Sequence, residues 1–270
     1  MSKRKDTNPR IHQNPKIIET VQIKSVNLTD TDDPHKDTSP IIPQRNKIKN
    51  LLNIYQRPDF TEKQKEFIEL ALDKKTKLLF VSGPAGSTKS YLSVYCALKL
   101  LNDRRVSDLI YVRSIVESAE YKIGYLPGEI DSKVLPYMEP LYDKLSELLP
   151  KNEVDYLKKD HRITTIPVSF LRGLNFNAKC VIADEIQNMT MKELITLTTR
   201  VGEHSKIILA GDPEQSDLKN GNRGGFEKIM GIFDDDESRQ NGIFTFRFTE
   251  EHVLRSKLVK FIVKKLRGHS

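Results

Sequence analysis

The sequence predicts an α/β fold, a mostly parallel sheet flanked by helices, with a phosphate-binding loop at its centre. Three observations lead there. From about residue 61 onward, short apolar runs of strand length alternate with segments of helical periodicity. The run Leu78, Leu79, Phe80, Val81 gives way at once to Gly83-Pro84-Ala85-Gly86, and a helix-like pattern then begins near Lys89. A second run, Cys180 to Ala183, ends in the acids Asp184 and Glu185.

The 270 residues are 30% charged and 37% hydrophobic, a composition that suits one substantial soluble domain. No run approaches the roughly 18 apolar residues of a membrane span, and the basic opening MSKRKDTNPR is followed by no apolar signal core. A cytoplasmic location without membrane association is therefore expected. A formal net charge of +7 permits a polyanionic partner without requiring one. Cys96 falls in a helical pattern and Cys180 in an apolar run, so two buried free thiols are expected rather than a disulfide or a metal site.

Residues 1–46, rich in Lys, Asp, Thr, Asn and Pro, read as a flexible arm, with one strand compatible around Glu19 to Val26. Residues 47–270 read as a single domain. Ile48, Leu51, Leu52 and Tyr55 fit a helix turn or two before Pro58. A helix follows, with Phe67, Ile68, Leu70, Ala71 and Leu72 apolar. Gln64 has two readings here: a capping box with Thr61, or a side chain that hydrogen-bonds the edge of an adenine.

The stretch Gly83, Pro84, Ala85, Gly86, Ser87, Thr88, Lys89, Ser90 nearly matches G-x-x-x-x-G-K-[ST]. A glycine-rich loop at a helix N-terminus turns backbone N–H groups toward an anion. Lys89 adds a point charge for the β- and γ-phosphates, and Ser90 a hydroxyl for magnesium. Thr88 stands where the last Gly of the pattern belongs. It is expected to open the helix as a cap, leaving a distorted but working loop.

Tyr91 to Leu101 continues as helix, and Asp108 to Val112 is the next strand, with Arg113 at its carboxyl end, where open α/β sheets place ligands. Ser114 to Gly128 is a long connection of the functional kind. Lys133 to Leu149 reads as an amphipathic helix, Arg162 to Val168 and Lys179 to Ala183 as strands. Asp184 is positioned to reach a hydrated magnesium ion and Glu185 to orient or deprotonate an attacking water. Thr190 and Glu193 have capping-box spacing and start a helix through Thr199. Lys206 to Ala210 is a strand, after which Gln215 is placed to sense the γ-phosphate or the water. Asp217 to Gly225 reads as a flexible loop and Asp234 to Glu237 as a solvated turn. Phe244 to Phe248 is the last strand, and His252 to Leu266 a closing basic helix.

Four stretches in this order, GPAGSTKSYL, RSIVESAEYKIGYLPGE, FLRGLNFNAKCVIADEIQNMT and LTTRVGEHSKIILAGDPEQSDL, resemble the PhoH-like family of ATP-binding proteins over about Thr61 to Lys265. The resemblance implies a single RecA-like P-loop NTPase core related to superfamily 1 helicases, using ATP and Mg2+. It is nearest to the compact versions of large tailed phages, without a fused RNase-type PIN domain, which would place the protein in the host cytoplasm. It assigns phosphate and metal binding to Gly83, Gly86, Lys89 and Ser90, the acidic pair to Asp184 and Glu185, and sensing to Gln215. Thr88 departs from the family's Gly, which bears on rate more than on binding.

Such a core lacks the Arg that a second helicase lobe supplies. A neighbouring subunit in a ring-like homo-oligomer, such as a hexamer, is expected to provide it, from Arg200 or Arg255. The expected activity is ATP hydrolysis acting on RNA or single-stranded DNA. The alternative is a nucleotide-binding regulator or small-molecule kinase without nucleic-acid activity.

Overall fold

The computed structural model describes residues 48–57, 59–114, 130–218 and 224–253. Six strands form one sheet: β1 (Leu78–Ser82), β2 (Asp108–Arg113), β3 (Ile163–Pro167), β4 (Lys179–Asp184), β5 (Lys206–Gly211) and β6 (Ile243–Arg247), in the order β3-β2-β4-β5-β1-β6. Every pairing is parallel, so all six carboxyl ends share one edge. A parallel sheet needs cover on both faces, and its central strands β1, β4 and β5 are accordingly buried along nearly their whole length, while the edge strands β3 and β6 are only partly so.

The period-2 alternation of side chains divides these strands between two cores. Leu79 and Val81, Leu109 and Tyr111, Cys180 and Ile182, and Ile208 and Ala210 face α1 (Glu62–Leu72), α2 (Lys89–Asn102), α3 (Ile130–Leu148) and α4 (Lys151–Lys159). Their sequence neighbours Phe80, Ile110, Val181 and Leu209 face α5 (Met191–Thr198) and α6 (Gly225–Ile232). The short α7 (Asp236–Gln240) leads into β6. Phe67 of α1 closes the β6 end, with ring centroids 5.5 Å from Phe246 and 5.8 Å from Phe248.

Several expectations are corrected. Residues 48–57 are not helical. Their backbone is claimed by other elements: Leu52 N–H donates to Asn102 Oδ1 (2.8 Å), Asn53 N–H to Glu153 Oε2 (2.8 Å) and Tyr55 N–H to the Leu148 carbonyl (2.8 Å). The helix α4 was not anticipated, nor was α6, which begins at Gly225 where a loop was expected. The acidic stretch from Asp234 forms α7, because Asp235 caps it by accepting from Ser238 N–H at 2.7 Å. Both cysteines are buried free thiols, as expected. The expected N-terminal arm and strand and the connection from Ile115 to Gly128 lie outside the described residues, as does the expected closing helix beyond Val253, Arg255 included; His252, where that helix was expected to start, ends a 3-10 turn.

Candidate active site

Strand parity brings the acidic pair to the loop. Asp184 continues the side of β4 that carries Cys180 and Ile182, which is the side covered by α2. Its carboxylate is 5% exposed and gripped from two elements: Ser90 Oγ donates to Oδ1 at 2.9 Å, and Tyr111 Oη to Oδ2 at 2.8 Å. Burial, and then the charge of Asp184, push the Tyr111 phenol far above its ordinary range, so it stays protonated and donates.

The loop between β1 and α2 is tightly packed. A Cβ at Gly83 would lie 2.7 Å from Phe248 Cβ, so only glycine fits beneath that strand end. Lys89 is nearly buried, its Nζ lying back across the loop at 2.6 Å from the Gly83 carbonyl, 3.1 Å from that of Pro84 and 3.4 Å from Ser87 Oγ. Ser87 Oγ donates to the Pro84 carbonyl at 2.8 Å. Asp212, after β5, accepts from Ala85 N–H at 2.9 Å and so ties the loop to the neighbouring strand.

Thr88 does not cap α2 as expected. It makes no side-chain cap bond, and its backbone is left-handed at φ 64°. Glycine reaches that region without steric cost, which is the physical reason the usual pattern has glycine there. Gln64 takes the capping reading, its Oε1 accepting from Thr61 N–H at 3.0 Å. It is 3% exposed and does not line the cleft.

A cleft of about 380 Å³ opens at this edge, lined by Ala85, Gly86, Thr88, Lys89, Ser90, Asp184, Glu185 and Gln215 among others. The loop, Asp184, Glu185 and Gln215 thus share one cleft. Glu185 sits at φ 55°, a conformation that strand and loop must hold in place. Arg200 follows α5 rather than ending it. Its carbonyl accepts from Phe176 N–H, ahead of the amino end of β4, so it is not brought to this cleft. Its Nε is buried without a hydrogen-bond partner.

Two further side chains at or behind this cleft carry no motif in the sequence. Arg57 lines the cleft, its guanidinium 4.6 Å above the Tyr91 ring and 3.7 Å from Glu147, which also pairs with Lys144. Gln187 is 4% exposed and joins Glu185 to Gln215: Nε2 donates to Glu185 Oε2 (2.5 Å) and to the Gln215 carbonyl (3.5 Å), while Oε1 accepts from Asp212 N–H (3.0 Å). Gly211 leaves room for this amide, since a Cβ there would lie 2.7 Å from Gln187 Oε1 and displace it.

The donor set suits a hard cation. Ser90 and Asp184 offer a hydroxyl and a carboxylate side by side, and magnesium takes few protein oxygens when phosphates supply the rest. Among the described residues no cluster of three His, Cys, Asp or Glu side chains forms a metal cage, an arrangement magnesium does not need.

A parallel sheet with this loop and acidic pair at its carboxyl edge defines the class: a RecA-like P-loop NTPase fold. Within that class, the chain belongs to the PhoH family, whose model, described as PhoH-like protein, matches residues 58–267. It is 34% identical over 203 residues to a PhoH-like protein of Mycobacterium tuberculosis, covering 75% of this chain and 56% of the relative. It is 29% identical over 244 residues to Protein PhoH of Escherichia coli, covering 90% of this chain and 62% of that one. The chain thus spans somewhat over half the length of these relatives. The large terminase of bacteriophage D6E is a distant structural neighbour, with TM-score 0.47 and 12% identity over 76% of this chain and 50% of that one.

Proposed function

We propose that this protein is a magnesium-dependent ATPase whose turnover is coupled to binding RNA or single-stranded DNA. The observation that carries the proposal is the meeting of Ser90 with Asp184 at 2.9 Å in the cleft that Lys89, Glu185 and Gln215 also line. Lys89 neutralises the β/γ-phosphates, and the loop amides position them. Ser90 and Asp184 would hold magnesium, which when bound would supply charge stabilisation to the phosphoryl group. Glu185 orients the water and takes its proton, and Gln215 reports the γ-phosphate. Gln187 holds Glu185 and the Gln215 backbone in register.

The net charge of +7 and the family resemblance support a nucleic-acid partner. A ring-like homo-oligomer in the cytoplasm completes the proposal, with Arg200 or Arg255 reaching a neighbour's cleft. No helix among the described residues is long and apolar enough to cross a membrane. The test is phosphate release from ATP, with and without single-stranded RNA or DNA. Stimulation by either supports the coupling. ATP turnover indifferent to both contradicts it and favours a regulator or kinase.

A further inference from the structure

The left-handed backbone of Thr88 has a device built around it. The Thr88 hydroxyl donates to the Ser87 carbonyl at 2.7 Å and accepts from Gln64 Nε2 at 2.9 Å. The same Gln64 amide accepts from Thr61 N–H at 3.0 Å, and its own backbone N–H donates to Thr61 Oγ1 at 3.3 Å. Gln64 is therefore a buried bracket, fixed at one end to the start of α1 and at the other to the residue before the loop lysine.

We propose that Gln64 is a positioning residue for the phosphate loop: its amide holds Thr88 in the left-handed conformation that glycine would adopt freely. The inference rests on the reading of this loop as the ATP site. A β-branched residue avoids φ near 64°, and its relaxed conformations lie at negative φ. Crossing to negative φ would turn the peptide on either side of Thr88 and re-aim the N–H groups that open α2. Leu92 N–H already bonds the Thr88 carbonyl at 2.9 Å, so the helix start and the loop move together. A hydrogen-bonded hydroxyl at this position restrains the backbone from outside, through a side chain 24 residues earlier in the chain. Threonine supplies the hydroxyl that glycine lacks, so the substitution and the bracket belong together. The amide of Gln64 is engaged on Thr61 and Thr88, and its side chain lies outside the cleft lining.

A double-mutant cycle tests this, with ATP and GTP affinities measured by titration calorimetry on the full chain and melting temperatures recorded alongside. Gln64→Ala should weaken ATP binding about tenfold, yet by less than about threefold when made together with Thr88→Gly, because glycine needs no bracket. The ratio of ATP to GTP affinity should not move. Thr88→Val, which keeps the branching and removes the hydroxyl, should weaken binding as Gln64→Ala does, and adding Gln64→Ala to it should change nothing further. This second pair leaves the Thr61 capping box intact in its single variant, so it decides the matter even where Gln64→Ala destabilises α1. Equal losses in the Thr88 and Thr88→Gly backgrounds would overturn the inference, as would a loss confined to ATP, which would assign Gln64 to the base. Absent ATP binding by the unsubstituted protein would overturn the loop reading itself. Intact binding with uncoupled substitutions overturns this inference alone.

Discussion

Ser90 Oγ donates to Asp184 Oδ1 at 2.9 Å, so the first turn of α2 and the last residue of β4 meet across 94 positions of sequence. Tyr111 approaches the other oxygen of the same carboxylate. The three side chains form a preset oxygen pair with a buried donor behind it. Removing the donor should loosen metal binding without touching the loop. Tyr111→Phe is expected to weaken manganese binding in the presence of ATP about tenfold, while ATP affinity without metal is unchanged. Manganese titration followed by electron paramagnetic resonance reads this directly, and an unaltered metal affinity would remove Tyr111 from the site.

Glu185→Gln should separate binding from chemistry. The amide is nearly isosteric but cannot accept a proton, so phosphate release should fall by about 10²- to 10⁴-fold while ATP affinity stays within about threefold. Retained turnover would move the base to another residue, Asp212 being a further carboxylate on the cleft wall.

The charge that builds on the phosphoryl group is commonly met by an additional Arg, worth about 10³ to 10⁵ in rate. Arg200 lies away from its own chain's cleft, which suits a role toward a neighbour. Arg200→Ala or Arg255→Ala should bind ATP normally, hydrolyse it slowly, and regain activity when mixed with Lys89→Ala protein. Arg57 is the competing candidate, since it lines the cleft of its own chain. Slow turnover in Arg57→Ala that mixing does not rescue, together with normal rates in Arg200→Ala and Arg255→Ala, would contradict a shared site.

Lys206 supplies a pH dependence unrelated to catalysis. It is 4% exposed, and its ammonium donates to the carbonyls of Ala71 and of Asp73 (2.7 Å) at the end of α1. Burial, then the nearby Arg105, bring its pKa from 10.5 down to about 8. The folded chain therefore loses this proton at a lower pH than the unfolded chain. Between those two values the unfolded chain binds more protons, so folding stability rises with pH, and below about 8 it is flat. Relative to Lys206→Met, the wild-type protein should gain at most about 3 kcal/mol across that window. Urea midpoints of both proteins from about pH 7 to 10 measure it. A difference that does not change with pH would refute the assignment.

Much of this arrangement was legible because it is written in local pattern. Apolar runs of strand length gave the sheet, and turn residues at their ends marked its carboxyl edge. The capping boxes of Thr61 with Gln64 and Thr190 with Glu193 formed as their spacing implied. What escaped depends on partners distant in sequence. The segment at Ile48 to Tyr55 has a helical spacing of apolar residues, but Asn102, Leu148 and Glu153 take its backbone hydrogen bonds. Arg57 lies two residues beyond that segment, where no motif marks it. Gln187 lies only two residues beyond Glu185, yet its partner Asp212 comes from the far end of β5. Thr88 was misread because a Thr before a helix normally caps it, and left-handed backbone leaves no mark in composition.

The central claim is that the loop from Gly83 to Ser90 binds the phosphates of ATP, and Lys89 tests it most directly. The side chain now bonds the Gly83 and Pro84 carbonyls, so it already lies over the loop it would share with a phosphate. Titration calorimetry of ATP into wild-type and Lys89→Ala proteins, with melting temperatures to confirm folding, measures its part. A loss of about 100-fold or more in affinity, in a protein that remains folded, is the predicted result. Undiminished affinity in a folded Lys89→Ala protein would contradict it and place the nucleotide elsewhere.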